Sequence, residues 1–171
     1  MAPSEPVTRQ QLLDFLQKLE IETKTHDHEA VFTVAESHKI KENLPGGHTK
    51  NLFLKDKKGN IGLVVCLNDT EVDLKSFHKK TDFGRVSFGN ADLLWELLGV
   101  KPGSVTPFAL INDKDHQKVR LFLDANMMEQ DLLNYHPLEN TATTAITKVD
   151  LLKFFSATGH EPTIVKLEKE D

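Results

Sequence analysis

Two apolar runs, Leu52-Phe53-Leu54 and Ile61-Gly62-Leu63-Val64-Val65-Cys66-Leu67, flank the polar stretch Lys55-Asp56-Lys57-Lys58-Gly59-Asn60, and this arrangement constrains the fold most. Apolar, β-branched runs broken by a glycine-containing polar turn predict a β-hairpin. The second run has no polar alternation, so it is expected to be deeply buried. Just ahead of the hairpin stands Gly46-Gly47-His48-Thr49-Lys50-Asn51. Paired glycines let the backbone turn and approach a ligand closely. Lys50 and Asn51 therefore sit at a loop-to-strand junction, where a cation and an amide on a stiff element can bind an anion or position a carbonyl.

The rest of the chain supplies more short elements. Pro3 and Pro6 mark a disordered lead over residues 1–7, and a charged tail is expected over 168–171. From the candidate N-cap Thr8, the spacing of Leu12, Leu13, Phe15, Leu16 and Leu19 predicts an amphipathic helix. Ile21 to His26 alternates like a strand, and Thr33 with Glu36 has capping-box spacing for a second short helix. Residues 73–80 read as helix, 85–88 as a short strand, and Asn90 as the cap of a helix through Leu98 stopped by Gly99. Trp95 in that helix is read as core. Phe108–Ile111 and Val119–Leu123 read as a second hairpin across the polar residues 112–116. Residues 138–144 are dense in hydroxyls and amides. Thr147 and Asp150 cap a last helix, Gly159 stops it, and Thr163–Val165 closes the chain as a strand. Without a regular βαβ rhythm or an internal repeat, the pattern predicts one α+β (mixed αβ) domain over residues 8–167: a largely antiparallel mixed sheet surrounded by short helices.

With 171 residues, 39% hydrophobic and 27% charged, the chain suits one soluble domain with a real core. No apolar run approaches the length a bilayer needs and the start lacks a signal segment, so a cytoplasmic protein without membrane contact is expected. The single cysteine, Cys66, excludes an internal disulfide and reads as a small core residue. A net charge of −5 argues against bulk attraction to nucleic acid, so any RNA contact must be local. Two basic groups could provide it: Lys50, Lys55, Lys57 and Lys58, and Lys75, Lys79, Lys80 and Arg85.

Eight histidines raise the question of a metal, but no CxxC or HExxH spacing occurs and only His26 and His28 are close in sequence. No metal or cofactor is expected. GxGxxG, GxxxxGK[ST] and GxSxG are likewise missing, which removes the usual support for dinucleotide binding, phosphate-loop chemistry and a serine nucleophile. What remains is polar residues at loop junctions: Lys50 and Asn51; Gly103, Ser104 and Thr106 in the proline-punctuated loop 101–107, whose backbone N–H groups could cradle an oxyanion; and His136 with Asn140, Thr141 and Thr143.

Five separated segments, Val31-Phe32-Thr33-Val34, Lys50-Asn51-Leu52-Phe53-Leu54, Gly103-Ser104-Val105-Thr106-Pro107, Tyr135-His136-Pro137 through Thr143, and Ala157-Thr158-Gly159-His160-Glu161-Pro162, occur in the order seen in the YbaK and prolyl-tRNA synthetase-associated editing domains. The chain resembles the free-standing branch of that family from about Leu12 to Val165. The resemblance implies a trans-editing hydrolase of mischarged tRNA(Pro), with Ala-tRNA(Pro) the first expectation and Cys-tRNA(Pro) an alternative. A site shaped for proline excludes a smaller apolar amino acid by only about 1–3 kcal/mol, so a second site must remove what slips through. The resemblance also implies roles. Lys50 would hold the terminal adenosine or its phosphate with Asn51 assisting, and backbone N–H groups at Gly103 and Ser104 would face the ester carbonyl. His136, Thr106, Asn140, Thr141 and Thr143 would line the substrate site, with Phe32, Thr33 and Leu44 as its walls. Lys55, Lys79, Lys80 and Arg85 would steer the acceptor stem, and water would be the nucleophile. The partners implied are the acceptor end of tRNA(Pro) and a prolyl-tRNA synthetase, with a monomer favoured. Where many relatives carry His-Pro, this chain has His28-Glu29-Ala30. A non-catalytic tRNA- or synthetase-binding module and an RNA-free small-molecule hydrolase are the alternatives from other classes.

Overall fold

The computed structural model describes residues 5–30 and 44–169. In chain order they form α1 (Arg9–Lys18), β1 (Lys24–Asp27), β2 (Gly47–Lys55), β3 (Ile61–Leu67), α2 (Phe77–Lys80), β4 (Ser87–Phe88), α3 (Ala91–Leu98), a 3-10 helix (Pro107–Asp113), β5 (Val119–Asp124), β6 (Leu132–Tyr135), β7 (Ala142–Thr147), α4 (Lys148–Thr158) and β8 (Thr163–Val165). The fold is mixed α+β. Its eight strands make one sheet in the order β1-β7-β6-β2-β3-β5-β8, with β4 added to β2.

The expected hairpin forms from β2 and β3, antiparallel and in register from Thr49↔Leu67 to Lys55↔Ile61. Asp56 organises its turn. The carboxylate accepts hydrogen bonds from the N–H groups of Lys58, Asn60 and Gly84 at 2.8–2.9 Å and from the Asn60 amide at 2.8 Å. Burial alone would raise this carboxyl, but the four donors outweigh it and bring its pKa down to about 2.

Alternation along the strands gives the sheet two different faces. Phe53, Leu63, Val65, Leu121, Leu123, Leu133 and Ile146 point to one face and pack with Leu12 and Leu16 of α1, Leu94 and Leu98 of α3, and Leu151, Phe154 and Phe155 of α4. The opposite face carries Leu54, Val64, Cys66, Phe122 and Val165, covered by Phe77 and Phe83. Phe77, Phe83 and Phe122 meet edge to face with centroids 5.1–5.7 Å apart, worth about 0.5–1.5 kcal/mol per pair beyond area burial. Cys66 is fully buried and burial pushes its thiol up to about 11, so it serves as core.

The helix signals are realised in detail. Thr8 and Gln11 form a reciprocal capping box on α1. Asn90 caps α3 by accepting from Leu93 N–H, and Thr147 caps α4 by accepting from Asp150 N–H. Gly99 and Gly159 end those helices in left-handed conformation. A chain crossing near the end of α4 is tied down by His160, whose Nε2 lies 2.9 Å from Asp113 Oδ2 and Nδ1 2.8 Å from Thr158 Oγ1.

Several expectations require correction. Phe108–Ile111 is not a strand, and the second hairpin does not exist. Thr106 accepts from Phe108 N–H and Pro107 presets the first turn, so the chain enters a 3-10 helix whose residues Pro107 to Ile111 are all buried. A four-residue apolar run buried on every side has no period that separates strand from helix. β5 therefore finds its partners elsewhere, parallel to β3 from Ile61↔Val119 to Val65↔Leu123 and parallel to β8. Trp95 is 43% exposed rather than core, because α3 turns Leu94 and Leu98 inward and carries the adjacent position out to solvent. The antiparallel pair β6–β7, from Leu132↔Thr147 to Tyr135↔Thr144, is not among the expected strands: β6 draws no strand reading, and β7 begins in the stretch 138–144 noted only for its hydroxyls and amides. The helix expected from Thr33, and the positions Phe32 and Thr33, lie outside the described residues.

Replacing Asp56 with Asn should lower Tm by several degrees at pH 7, read by circular dichroism. Because the folded carboxyl titrates below its unfolded value, its contribution is present above about pH 4 and is lost as pH falls toward 2. The wild-type and variant melting temperatures should therefore converge on acidification.

Candidate functional site at the split in the sheet

β2 is shared by two half-sheets, and its outer edge is not continuously paired. β6 runs parallel to it only at Gly47↔Leu133 and His48↔Asn134, while β4 joins only at Leu54↔Phe88 and Lys55↔Ser87. Between these contacts, from Thr49 to Phe53, no strand of the described residues pairs with that edge. The junction is pinned by side chains. Thr49 Oγ1 donates to Asn134 O at 2.6 Å, and the Asn134 amide donates to Pro45 O at 2.9 Å and Gly47 O at 3.2 Å. Gly46 has φ +97°, and a Cβ there would stand 2.9 Å from Leu132 O, so the turn into β2 requires glycine.

Register places a polar row across one face of the split. His26 is opposite Thr143, and Tyr135 is opposite Thr144, which sets His136 on the row of Thr143. Lys50 lies two residues beyond His48 on β2, past the last pair with β6, and points to the same side of β2 as His48. Lys50 Nζ donates to Thr70 O at 2.7 Å, which leaves two of its three N–H donors. His28, just beyond β1, joins the row: its ring centroid is 6.4 Å from that of His136 and its Nε2 is 2.8 Å from Thr143 Oγ1. His136 Nδ1 donates to Ala142 O at 2.9 Å. Burial holds His136 below the ordinary imidazole range, assisted by His28, so at neutral pH its Nε2 is a hydrogen-bond acceptor.

On the same face lies a cleft of about 970 Å³, bordered by Leu44, Pro45, His26, Leu132, Asn134 and Thr143. Its volume fits a small acyl group with a nucleoside attached. Of the walls expected from the sequence, Leu44 borders it, and Leu44 O also meets His48 Nε2 at 3.0 Å.

The loop 101–106 stands beside the turn after β6. Pro102 and Gly103 (φ +93°) form a turn closed by Ser104 N–H donating to Lys101 O at 3.0 Å, and a Cβ on Gly103 would lie 3.7 Å from the Asn140 amide nitrogen. Gly103 is exposed, while Thr106 is fully buried and caps the 3-10 helix. Thr141 is exposed and donates to Glu139, which also receives Arg9 at 2.9 Å. That arginine joins Asp27 at 2.6 Å as well, tying α1, the end of β1 and the turn after β6 together.

The geometry separates some residues that the sequence groups together. Lys50 and Asn51 are neighbours on a regularly paired strand and point to opposite faces, with Asn51 Oδ1 buried and unpartnered among the described residues. Asn51 does not assist Lys50 from the same side. Ser104 N–H is occupied by its turn, and the Thr106 hydroxyl by its cap. Lys55 lies five residues along β2 from Lys50, about 17 Å away. Lys79 and Arg85 are exposed, and Lys80 Nζ donates to Lys166 O at 2.8 Å. Conversely, Asn134 and His28 border the site although no sequence motif marks them. The available signal for Asn134 was a polar residue between Leu133 and Tyr135 in an otherwise apolar strand. Among the described residues no group of His, Cys, Asp and Glu is arranged to hold a metal, and no helix is long and apolar enough to cross a membrane.

Comparison with known proteins identifies the family of the fold. The family model for the aminoacyl-tRNA editing domain matches residues 28–154. The chain is 37% identical over 165 residues to the prolyl-tRNA synthetase associated domain-containing protein 1 of Xenopus laevis, covering 94% of this chain and 97% of that one. It is 33% identical over 153 residues to the prolyl-tRNA editing protein ProX of Acetoanaerobium sticklandii, covering 89% and 93%. Among solved structures, the "putative trans-editing enzyme for prolyl tRNA synthetase" superposes with a TM-score of 0.67 at 19% identity over 92% of this chain and 94% of that one. With the fold shared along nearly its whole length and the family model matching residues 28–154, the chain belongs to the aminoacyl-tRNA editing domain family.

Proposed function

We propose that the protein is a trans-editing deacylase that hydrolyses the ester of mischarged tRNA(Pro), with Ala-tRNA(Pro) as substrate. The observation that carries this reading is the polar face of the split sheet, where His26, Asn134 and Thr143 line a cleft of about 970 Å³ and His136 and His28 stand beside Thr143. The ProX relative, named for prolyl-tRNA editing, supports the same class of reaction. The small acyl group enters the cleft and the terminal adenosine lies over the split, where Lys50 offers its two remaining donors to phosphate, ribose or ester oxygen. The exposed turn at Gly103 lets the acceptor end approach the backbone.

Water attacks the ester carbonyl carbon. Its proton passes to an acceptor, His136 Nε2 in this reading, and collapse of the tetrahedral intermediate expels the ribose 3′-oxygen, which takes a proton. Charge on the intermediate is met by the Lys50 ammonium. The turn hydrogen bond of Ser104 leaves its N–H as an oxyanion donor only if loop 101–106 opens, so the cation carries more of that role here. The exposed Lys79 and Arg85, with Lys55, supply local attraction for the acceptor stem in a chain of net charge −5. Docking on a prolyl-tRNA synthetase and action as a monomer complete the reading.

Single-turnover release of alanine from Ala-tRNA(Pro) should exceed release of proline from Pro-tRNA(Pro), and Lys50→Ala should lower it about 10²–10³-fold with the far-ultraviolet circular dichroism unchanged. Cysteine release in place of alanine would move the substrate; no hydrolysis of any aminoacyl-tRNA(Pro) would overturn the reading. The rate should fall as pH drops through a value below about 6.5, where His136 gains its proton and its acceptor is lost, and His136→Asn should remove that limb. Binding of tRNA should weaken steeply with rising salt, and replacing Lys79 or Arg85 with Ala should reduce the log–log slope by about 1 for each phosphate that is no longer neutralised.

A further inference from the structure

The hydrogen bonds around the cleft fix which atoms face into it. Asn134 is buried and spends its amide N–H groups on Pro45 O and Gly47 O, both of which can only accept. Its orientation is therefore determined, and among the described residues no group donates to Oδ1, the remaining acceptor of a residue that lines the cleft. His28 Nδ1 lies 2.7 Å from Glu29 O, also an obligate acceptor, so Nδ1 carries a hydrogen, and in that tautomer Nε2 accepts. Thr143 Oγ1, 2.8 Å from that Nε2, must then donate its hydrogen to His28 and keep its lone pairs for the cleft. Asn134 and Thr143 are diagonal neighbours on β6 and β7, about 7–8 Å apart at Cα, and both border the cavity. Two preset acceptors at that spacing, buried and without a donor of their own to offer, suit a ligand group with several N–H donors.

We infer that Asn134 Oδ1 and Thr143 Oγ1, the latter set by His28, form the subsite that receives the α-ammonium of the aminoacyl group. The deacylase reading supplies the identity of the ligand, and the inference goes beyond it by assigning amine recognition to residues outside the Lys50 and Gly103 segments. A primary ammonium has three donors and can span both oxygens while the acyl carbon stays near the row of His136. An acyl group without the amine would leave both acceptors buried and unpaired, which is how such a site rejects it. Asn134 and Thr143 touch the substrate in this arrangement, whereas His28 is a positioning residue that acts through the Thr143 hydroxyl.

The test uses two non-hydrolysable amide analogues, 3′-alanylamino-3′-deoxyadenosine and its des-amino counterpart 3′-propionylamino-3′-deoxyadenosine, titrated into the full chain and followed by calorimetry and amide chemical shifts. The alanyl analogue should bind the wild type at least roughly tenfold more tightly. Thr143→Val should bring that ratio close to 1 with little change for the propionyl analogue, and Thr143→Ser should restore it. Equal affinity of the two analogues for the wild type, or binding of neither, would overturn the inference without recourse to any variant. So would an unchanged ratio in Thr143→Val. If the analogues are discriminated while no aminoacyl-tRNA(Pro) is hydrolysed, the amine subsite stands and the deacylase reading falls; hydrolysis of Ala-tRNA(Pro) with equal analogue affinities gives the reverse.

Discussion

The hydrogen-bonded register of β2 is the constraint on which the rest depends. One edge of this strand is fully committed to β3, while the other holds β6 for two residue pairs and β4 for two more, and stands open between them. A sheet interrupted in this way would ordinarily be a liability, because unpaired backbone groups must find partners. Here the junction is braced by the Thr49 hydroxyl, by the Asn134 amide and by a glycine turn that allows Leu132 O to approach closely. The opening can then serve as a site without weakening the sheet.

The two halves of the sheet are stabilised differently, and this matters for where chemistry can occur. The β2–β3–β5 half is packed on both faces, with α1, α3 and α4 against one and the Phe77–Phe83–Phe122 cluster against the other. Among the described residues the helices cover one face of the β1–β7–β6 half, and the other face presents His26, Thr143, Asn134 and Leu132 to a cleft. Lys50 stands at the boundary, held by Thr70 O beside the fully buried Cys66. In the deacylase reading proposed above, such an anchored cation would act by positioning, with orientation and charge rather than a protein nucleophile lowering the barrier.

Carboxylates do much of the local structural ordering. Asp56 gathers the turn of the hairpin, and Asp113 accepts from Lys118 N–H and Val119 N–H while meeting His160. Through His160, the Gly159-His160-Glu161-Pro162 segment holds the end of α4 against the start of β5. Its part is structural. Arg9 does the same at the other side of the molecule, where two carboxylates hold α1 against the turn that carries Asn140.

Much of this protein was determined by the sequence alone, because the relevant physics is local. The caps Thr8, Asn90 and Thr147, the hairpin around Lys55–Asn60, the buried strand through Cys66 and the helix stop at Gly159 each rest on residues within a few positions of one another. The family was also legible, since five motifs occur in order. What only the tertiary structure decided was anything set by long-range pairing. The run Phe108–Ile111 became a 3-10 helix because its surroundings bury every side, and β5 then turned from a hairpin partner into a parallel neighbour of β3. Trp95 went outward because Leu94 and Leu98 took the core. The separation of Lys50 from Asn51 followed from a sheet face, and the grouping of His26, Thr143 and His136 from the register of β1, β6 and β7. Asn134 and His28 entered the site for the same reason: which atom of an amide or imidazole is left to meet a ligand depends on carbonyls that the chain brings from distant segments, and no local pattern encodes that.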